Sequence, residues 1–290
     1  MLHDDNDKFI NVVHDIQAKT GFSDLLLEKD YYLSLILSNV GKLSDGLVFK
    51  GGTCLNKVYY SYFRLSEDLD FTMKLPTNDI TRGMRSRSMK PIKEDIAKYV
   101  ENFGMKLDTT VEPARNENKQ YIFVINYYSI FAGKTSTIKF EVGLRFNPLL
   151  EVSKKAVMHN FISPFGEPLV ENGVVNCLDL KEAVSEKLRA ATGREVIAPR
   201  DFYDLDFLIR NEFNIASPEV LRLFKLKTKE EAEWEGLAKY SHNLGRTDKE
   251  IKDMRSRIEN ELFPVLSSKE RDRFDLDKAL DRINKAFDRV

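Results

Sequence analysis

Residues 49–73 read FKGGTCLNKVYYSYFRLSEDLDFTM, a stretch that gathers two glycines, a threonine, an arginine and two alternating aspartates. Just before it begins the chain is apolar, and LVFK (47–50) halts at Gly51-Gly52, the pattern of a strand entering a tight turn. Thr53 follows as a plausible N-cap, and Leu55, Val58, Tyr59 and Tyr62 recur at helical spacing. DLDFTMKL then reads as the next strand. In an extended chain residues i and i+2 project from the same face, so Asp68 and Asp70 point one way while Leu69 and Phe71 go to the core. Like charges at that spacing repel unless something positive sits between them. Hard carboxylate oxygens on one side suit Mg²⁺ (or Mn²⁺), which completes its shell from phosphate and water. Read without its neighbours, the pair is also compatible with a solvated strand edge.

The upstream turn changes that balance. Two glycines between a strand and a helix let the backbone approach a ligand closely, and the first N–H groups of the helix face outward as a seat for phosphate oxygens. Gly51, Gly52 and Thr53 are therefore candidate triphosphate contacts. The segment is not a Walker A loop, because Asn56 stands before Lys57 where the second glycine belongs.

The tripeptide D-L-D occurs three times, at Asp68/Asp70, Asp204/Asp206 and Asp275/Asp277. On a helix, residues i and i+2 diverge by about 200°. Asp204 and Asp206 lie in the helical pattern of Phe202, Leu205, Leu208 and Ile209 and cannot share one metal. Asp275 and Asp277 open a helix, where acids favour the macrodipole. Only the first pair is expected on a strand. Glu141, the lone acid on the polar parity of TIKFEVGL, is the candidate third metal ligand, with Ile138, Phe140 and Val142 facing the other way.

Two basic features stand out. Lys187 falls inside the apolar stripe Leu180, Ala183, Val184, Leu188, Ala191, so it either snorkels to water or faces a charged cleft. Arg82, Arg85, Arg87 and Lys90 crowd a polar, acid-poor stretch between Pro76 and Lys93 that reads as a loop or loosely held helix start, followed by a helix around 92–103. Such a cluster could neutralise nucleic-acid phosphates. Arg200, Asp201 and Asp204 gather in RDFYD at a helix start, most simply a capped and salt-bridged terminus.

The bulk numbers fit a soluble globular protein: 290 residues, 42% hydrophobic and 31% charged, with a formal charge of −1. Nothing global advertises nucleic-acid or membrane binding, so any basic surface is local. Cys54 and Cys177, each in an apolar stretch, suit reduced, partly buried thiols. No apolar run approaches the ~20 residues a membrane span needs, and MLHDDNDKFI has no signal-peptide pattern. The reading is a cytoplasmic protein. Strand-like runs near MKLDTTVEP, KQYIFVINYYS and TSTIKFEVGL precede a helical period that starts with a capping box at Asp179…Glu182 and resumes near Ser217, Thr247 and Ser267. The expected fold is α+β, with a mixed-sheet domain over 1–175 and a mostly helical domain over 176–290.

Taken together, EKDYYL (28–33), FKGGTCLNK (49–57), RLSEDLDF (64–71), IKFEV (138–142), SEKLRA (185–190) and PRDFYDL (199–205) resemble the AbiEii/AbiGii family of nucleotidyltransferase toxins of type IV toxin–antitoxin and phage-abortive-infection systems. The resemblance implies a DNA polymerase β-like nucleotidyltransferase core, with the helical C-terminal domain completing the active-site cleft. It implies Asp68 and Asp70 as metal ligands, with Glu141 as the candidate third. Gly51, Gly52, Thr53, Arg64, Lys187 and Arg200 would hold the nucleotide, and Asp201 or Asp204 would be a further required acid. Glu28, Lys29 and Asp30 match a recurrent motif, as scaffold or as substrate contact. The implied partners are a nucleoside triphosphate, an RNA acceptor such as a tRNA 3′ end, and a cognate antitoxin. The residues themselves leave open a small-molecule or protein acceptor, or a nucleotide-binding module without catalysis.

Overall fold

Alternation of buried and more accessible side chains along the longer strands builds a sheet whose two faces do different work. In this computed structural model residues 1–76, 81–228 and 240–288 are described, and the chain divides into two compact units, Met1–Leu178 and Asp179–Val290. The strands of the first unit are β1 (Leu47–Lys50), β2 (Leu69–Met73), β3 (Lys106–Leu107), β4 (Ala114–Arg115), β5 (Gln120–Ser129), β6 (Lys134–Gly143), β7 (Ser153–Ala156) and β8 (Val174–Cys177). They form one sheet in the order β3-β5-β6-β2-β1-β8-β7, with β4 also on β5. The sheet is mixed: β1–β2 and β5–β6 pair antiparallel, whereas β1–β8 and β2–β6 pair parallel. With helices in both units, the α+β expectation holds.

The inward parity of the central strands is aromatic. Phe49, Phe71, Phe140 and Phe123 are buried, and successive ring centroids lie 5.2, 4.7 and 6.3 Å apart across β1, β2, β6 and β5. Pairs of this kind add about 0.5–1.5 kcal/mol each beyond the area they bury. Helix α1 (Asn6–Thr20) starts on an Asp5 cap that accepts from Lys8 N–H and ends at Gly21 with φ of 73°. Helix α2 (Asp24–Ser38) is buried almost all round, as expected of a helix wrapped by its own unit.

The helix after Gly51-Gly52 is present, but its details differ from the sequence reading. It runs as α3 (Gly51–Cys54) and continues through a π-helical turn, Leu55–Tyr59. Its N-cap is Lys50, so Thr53 is a first-turn residue rather than the cap. Tyr62 lies beyond the helix with φ of 60°, held there by a buried network. The Lys57 ammonium lies 2.7 Å from Asp30 Oδ1 and donates to Tyr62 Oη and Ser34 Oγ, while Tyr62 Oη donates to Asp30 Oδ2. Burial pulls the Lys57 ammonium below its ordinary pKa against the pull of Asp30, and burial beside Asp30 pushes the Tyr62 phenol well up. Glu28 accepts from Ser129 Oγ and Ile130 N–H, and Lys29 lies 3.2 Å from Glu67. For the EKD motif, scaffold contacts are what the geometry shows.

The basic stretch expected to be a loop is helical. Residues 77–80 lie outside the described residues, but α4 spans Arg82–Glu101 with Thr81 as N-cap, ten residues earlier than the helix read from the sequence. Gly83 and an interior Pro91 give that stretch loop-like punctuation. Tertiary packing overrides it: Met89, Ile92, Ile96, Tyr99 and Val100 are buried, and Tyr99 Oη donates to Ile36 O.

The second unit contains α5 (Leu180–Gly193), α6 (Pro199–Arg210), α7 (Pro218–Thr228), α8 (Asp248–Glu261), α9 (Ser268–Arg273) and α10 (Leu276–Phe287). The helical reading across 229–239 lies outside the described residues. Thr247 and Ser267 cap α8 and α9 as expected. The capping box at Asp179 is not formed. Asp179 does cap α5, accepting from Lys181 N–H, but Glu182 is buried and sits 2.7 Å from the Lys227 ammonium. Asp204 and Asp206 diverge as their helical register requires, and Asp206 pairs with Arg210 at 2.9 Å and Arg282 at 2.5 Å.

Both members of the Lys57–Asp30 pair are within 1% of complete burial, so removing one strands the other. Lys57→Met is expected to cost about 3–5 kcal/mol in urea unfolding, with part of that loss recovered in the Lys57→Met, Asp30→Asn double variant.

Candidate functional site

The strand register assembles the site. β1 against β2 sets Lys50 opposite Asp70, and β2 beside β6 sets Asp70 next to Glu141. Because Leu69, Phe71, Phe140 and Val142 are buried on the other parity, Lys50, Asp70 and Glu141 share the opposite face, and all three are half-exposed. Gln120 Nε2 donates to Glu141 Oε1 at 2.7 Å. Asp68 lies one residue before β2, and its carbonyl accepts from the Thr53 hydroxyl at 2.5 Å. Thr53 is fully buried, so its side chain ties the glycine turn to the acid-bearing segment.

Both glycines sit at close approaches to charged side chains. Gly51 has φ of 76°, and a Cβ there would stand 2.3 Å from Asp70 Oδ2. A Cβ on Gly52 would stand 2.6 Å from Arg64 Nη2. Arg64 is buried and its Nη1 donates to Leu65 O at 2.8 Å. The Gly-Gly turn is thus wedged between the Asp70 carboxylate and the Arg64 guanidinium.

A second charged cluster lies within the helical unit. Lys187 Nζ is 3.0 Å from Asp201 Oδ1 and 2.7 Å from Asp204 Oδ2, and Arg194 Nε is 3.2 Å from Asp201 Oδ2. Asp201 and Asp204 are buried and Lys187 is 11% exposed. The lysine in the apolar stripe of α5 therefore meets charge from α6 instead of snorkelling to water. The RDFYD aspartates correspondingly do more than cap a terminus: Ala198 is the N-cap of α6, and no side chain caps it. Arg200 is half-buried in the first turn.

Residues 36–289 match the family described as nucleotidyl transferase AbiEii toxin, type IV toxin–antitoxin system. The chain belongs to the AbiEii nucleotidyltransferase toxin family. Among solved structures, a provisionally assigned nucleotidyltransferase from Helicobacter pylori superposes with a TM-score of 0.54 at 18% identity, covering 92% of this chain and 95% of its own. JHP933 from Helicobacter pylori gives a TM-score of 0.55 at 18% identity, covering 92% of each chain. At such identities the likeness concerns the fold. No curated protein matches. As an AbiEii family nucleotidyltransferase, the chain is an enzyme whose class implies a nucleoside triphosphate substrate and an antitoxin partner.

The AbiEii site is compatible with a divalent ion, although no group of three His, Cys, Asp or Glu side chains is close enough to hold one among the described residues. Asp68 and Asp70 offer hard carboxylate oxygens, and the missing Cβ of Gly51 leaves the Asp70 carboxylate its space. Two carboxylates with phosphate and water oxygens are an ordinary Mg²⁺ environment. Glu141 stands in register with Asp70 but is engaged by Gln120.

Of the four basic residues of α4, Arg85 is buried, its Nη2 donating to Glu117 O at 3.3 Å. Arg82, Arg87 and Lys90 are exposed, and Lys90 lies 3.8 Å from Glu94. Sequence reasoning passed over Lys50 and Gln120. Lys50 carried a usable signal, since it ends an apolar run on the parity opposite Phe49. Gln120 is found only through the β5–β6 register. Cys54 and Cys177 are free and buried, and burial beside Cys177 pushes the Cys54 thiol well up. No helix among the described residues is long and apolar enough to cross a membrane.

Gly51→Ala combines a left-handed backbone, costing about 1–2 kcal/mol for a residue with a Cβ, with displacement of Asp70. Urea unfolding should show at least that loss. Gly143→Ala, whose added Cβ would find its nearest neighbours at 3.8 and 3.9 Å and whose φ is not left-handed, should stay within about 0.5 kcal/mol of wild type.

Proposed function

We propose that this enzyme transfers a nucleoside monophosphate from a nucleoside triphosphate to the 3′ hydroxyl of an RNA, with tRNA as the acceptor class, in the cytoplasm and as the toxic half of a phage-defence pair. The observation that carries the reading is the placement of Asp70 in register with Glu141, two residues after Asp68 and against a Gly-Gly turn that has no room for a Cβ. This is the layout an in-line displacement at phosphorus needs: an anion seat beside oxygen ligands on one sheet face.

Asp68 and Asp70 would hold Mg²⁺ (or Mn²⁺), with Glu141 the candidate third ligand. When bound, the ion offsets charge on the α-phosphate and the leaving pyrophosphate and acidifies the attacking hydroxyl. Gly51 and Gly52 let the backbone come close to the triphosphate, with Thr53 and Arg64 fixing the turn from behind. In the second unit the same reading assigns Lys187 and Arg200 to phosphate oxygens, and Asp201 and Asp204 to holding the Lys187 ammonium in one position. Arg82, Arg87 and Lys90, exposed on one end of α4, are assigned to the acceptor backbone, with Arg85 as a structural tie to the 116–118 turn.

Pure protein incubated with Mg²⁺, each labelled triphosphate and pools of RNA, protein and small acceptors tests the reaction. Label should enter RNA, and Asp68→Asn or Asp70→Asn should abolish incorporation and cell toxicity while leaving thermal unfolding nearly unchanged. Transfer retained by either variant removes the metal-ligand roles, and label entering only protein or small acceptors removes the RNA assignment. Neutralising Arg82, Arg87 and Lys90 together should reduce the log–log salt slope of RNA binding by up to about 2–3. An unchanged slope takes α4 out of the acceptor surface.

A further inference from the structure

The carboxylate row contains an ammonium. Lys50 stands directly opposite Asp70 in the antiparallel β1–β2 ladder, where facing Cβ atoms are about 5 Å apart. Its side chain does not turn away to solvent: Lys50 Nζ lies 3.9 Å from where a Cβ on Gly143 would stand. Gly143 is on β6, two residues beyond Glu141 and on the same face, paired with Thr72 of β2. The ammonium thus crosses from β1 over β2 to the bare backbone of the third strand. On the far side, Gln120 is opposite Gly143 in β5 and donates to Glu141.

The result is a shelf of fixed charge. The Lys50 ammonium stands in register with the carboxylates of Asp70 and Glu141, and Asp68 lies two residues before Asp70. A unit positive charge at this range acts twice as strongly on a divalent cation as on a monovalent one, and with opposite sign on a triphosphate. We propose that Lys50 is the charge-setting residue of the site. It weakens binding of the free divalent ion and strengthens binding of the triphosphate, so that metal enters together with the nucleotide rather than ahead of it. This rests on the nucleotidyl-transfer reading above and specifies how substrate and metal are admitted.

The test uses the full chain and two binding measurements that need no turnover. Mn²⁺ alone is titrated by the electron paramagnetic resonance signal of the free ion. Inorganic triphosphate is then titrated calorimetrically at saturating Mn²⁺. Lys50→Met should bind Mn²⁺ alone about tenfold more tightly than wild type and triphosphate about tenfold more weakly, the scale expected for one charge in a half-screened site. Lys50→Arg should match wild type within about twofold on both. Gln120→Lys, which adds a second ammonium to the shelf without touching Lys50, should weaken Mn²⁺ alone; it keeps the test decisive if Lys50→Met does not fold. Mn²⁺ affinity unchanged or reduced in Lys50→Met, or unchanged in Gln120→Lys, overturns the inference. So does Lys50→Arg behaving like Lys50→Met, since shape rather than charge would then govern. Wild type that takes up triphosphate with Mn²⁺ while Lys50→Met shows no change defeats this inference alone. Wild type that takes up neither defeats the transfer reading and this inference with it.

Discussion

The two-residue pleat of β1, β2 and β6 is the constraint from which the rest of the first unit follows. One parity stacks Phe49, Phe71 and Phe140 into the core, and the other therefore has to present Lys50, Asp70 and Glu141 in a row. A slip of one residue in any of the three strands would bury those charges and expose the aromatic rings. Apolar packing thus fixes a polar constellation to which it contributes no atom. The Asp70 and Glu141 carboxylates are carried by strands rather than by a loop, and side chains on such rigid elements are held more closely in place than side chains on loops.

Around that row, buried ion clusters tie elements distant in sequence. Lys57 with Asp30 links the helix after the glycine turn to α2, and the Thr53 hydroxyl links the same helix to the carbonyl of Asp68. In the helical unit, Lys187 with Asp201 and Asp204 joins α5 to α6, and Lys227 with Glu182 joins α7 to α5. Burying such charges is costly unless each is met by its partner, and losing one partner costs more than the pair contributes. The clusters therefore penalise alternative packings of otherwise similar apolar helices. The same physics means that loss of activity on changing Lys187 must be read beside a measurement of folding, because that ammonium neutralises two buried carboxylates.

Most of the elements were legible because their signals are local. The alternation in KQYIFVINYYS and TIKFEVGL, the caps at Thr247 and Ser267, and the contrast between Asp70 on a strand, with Asp68 just before it, and Asp204/Asp206 on a helix all follow from backbone periodicity. The failures share a cause. Gly83 and Pro91 punctuate α4 like a loop, but a buried apolar stripe holds it helical. Glu182 has capping-box spacing, yet a lysine from another helix claims it. Thr53 looks like a cap and instead reaches the carbonyl of Asp68.

Chain chemistry by itself determined the α+β class, a strand carrying Asp70 with Phe71 on its other face, the glycine turn before a helix, and the motif set that marks a nucleotidyltransferase toxin, since each depends on residues a few positions apart. Tertiary structure alone decided which strands are neighbours, and so that Lys50, Asp70 and Glu141 form one row with Gln120 behind it. It also decided that Lys187 is clamped by two aspartates and that Arg85 turns inward while Arg82 and Arg87 stay in water. Strand order and burial are properties of the whole packed core, where dozens of weak contacts are settled together, and no short window of sequence encodes them.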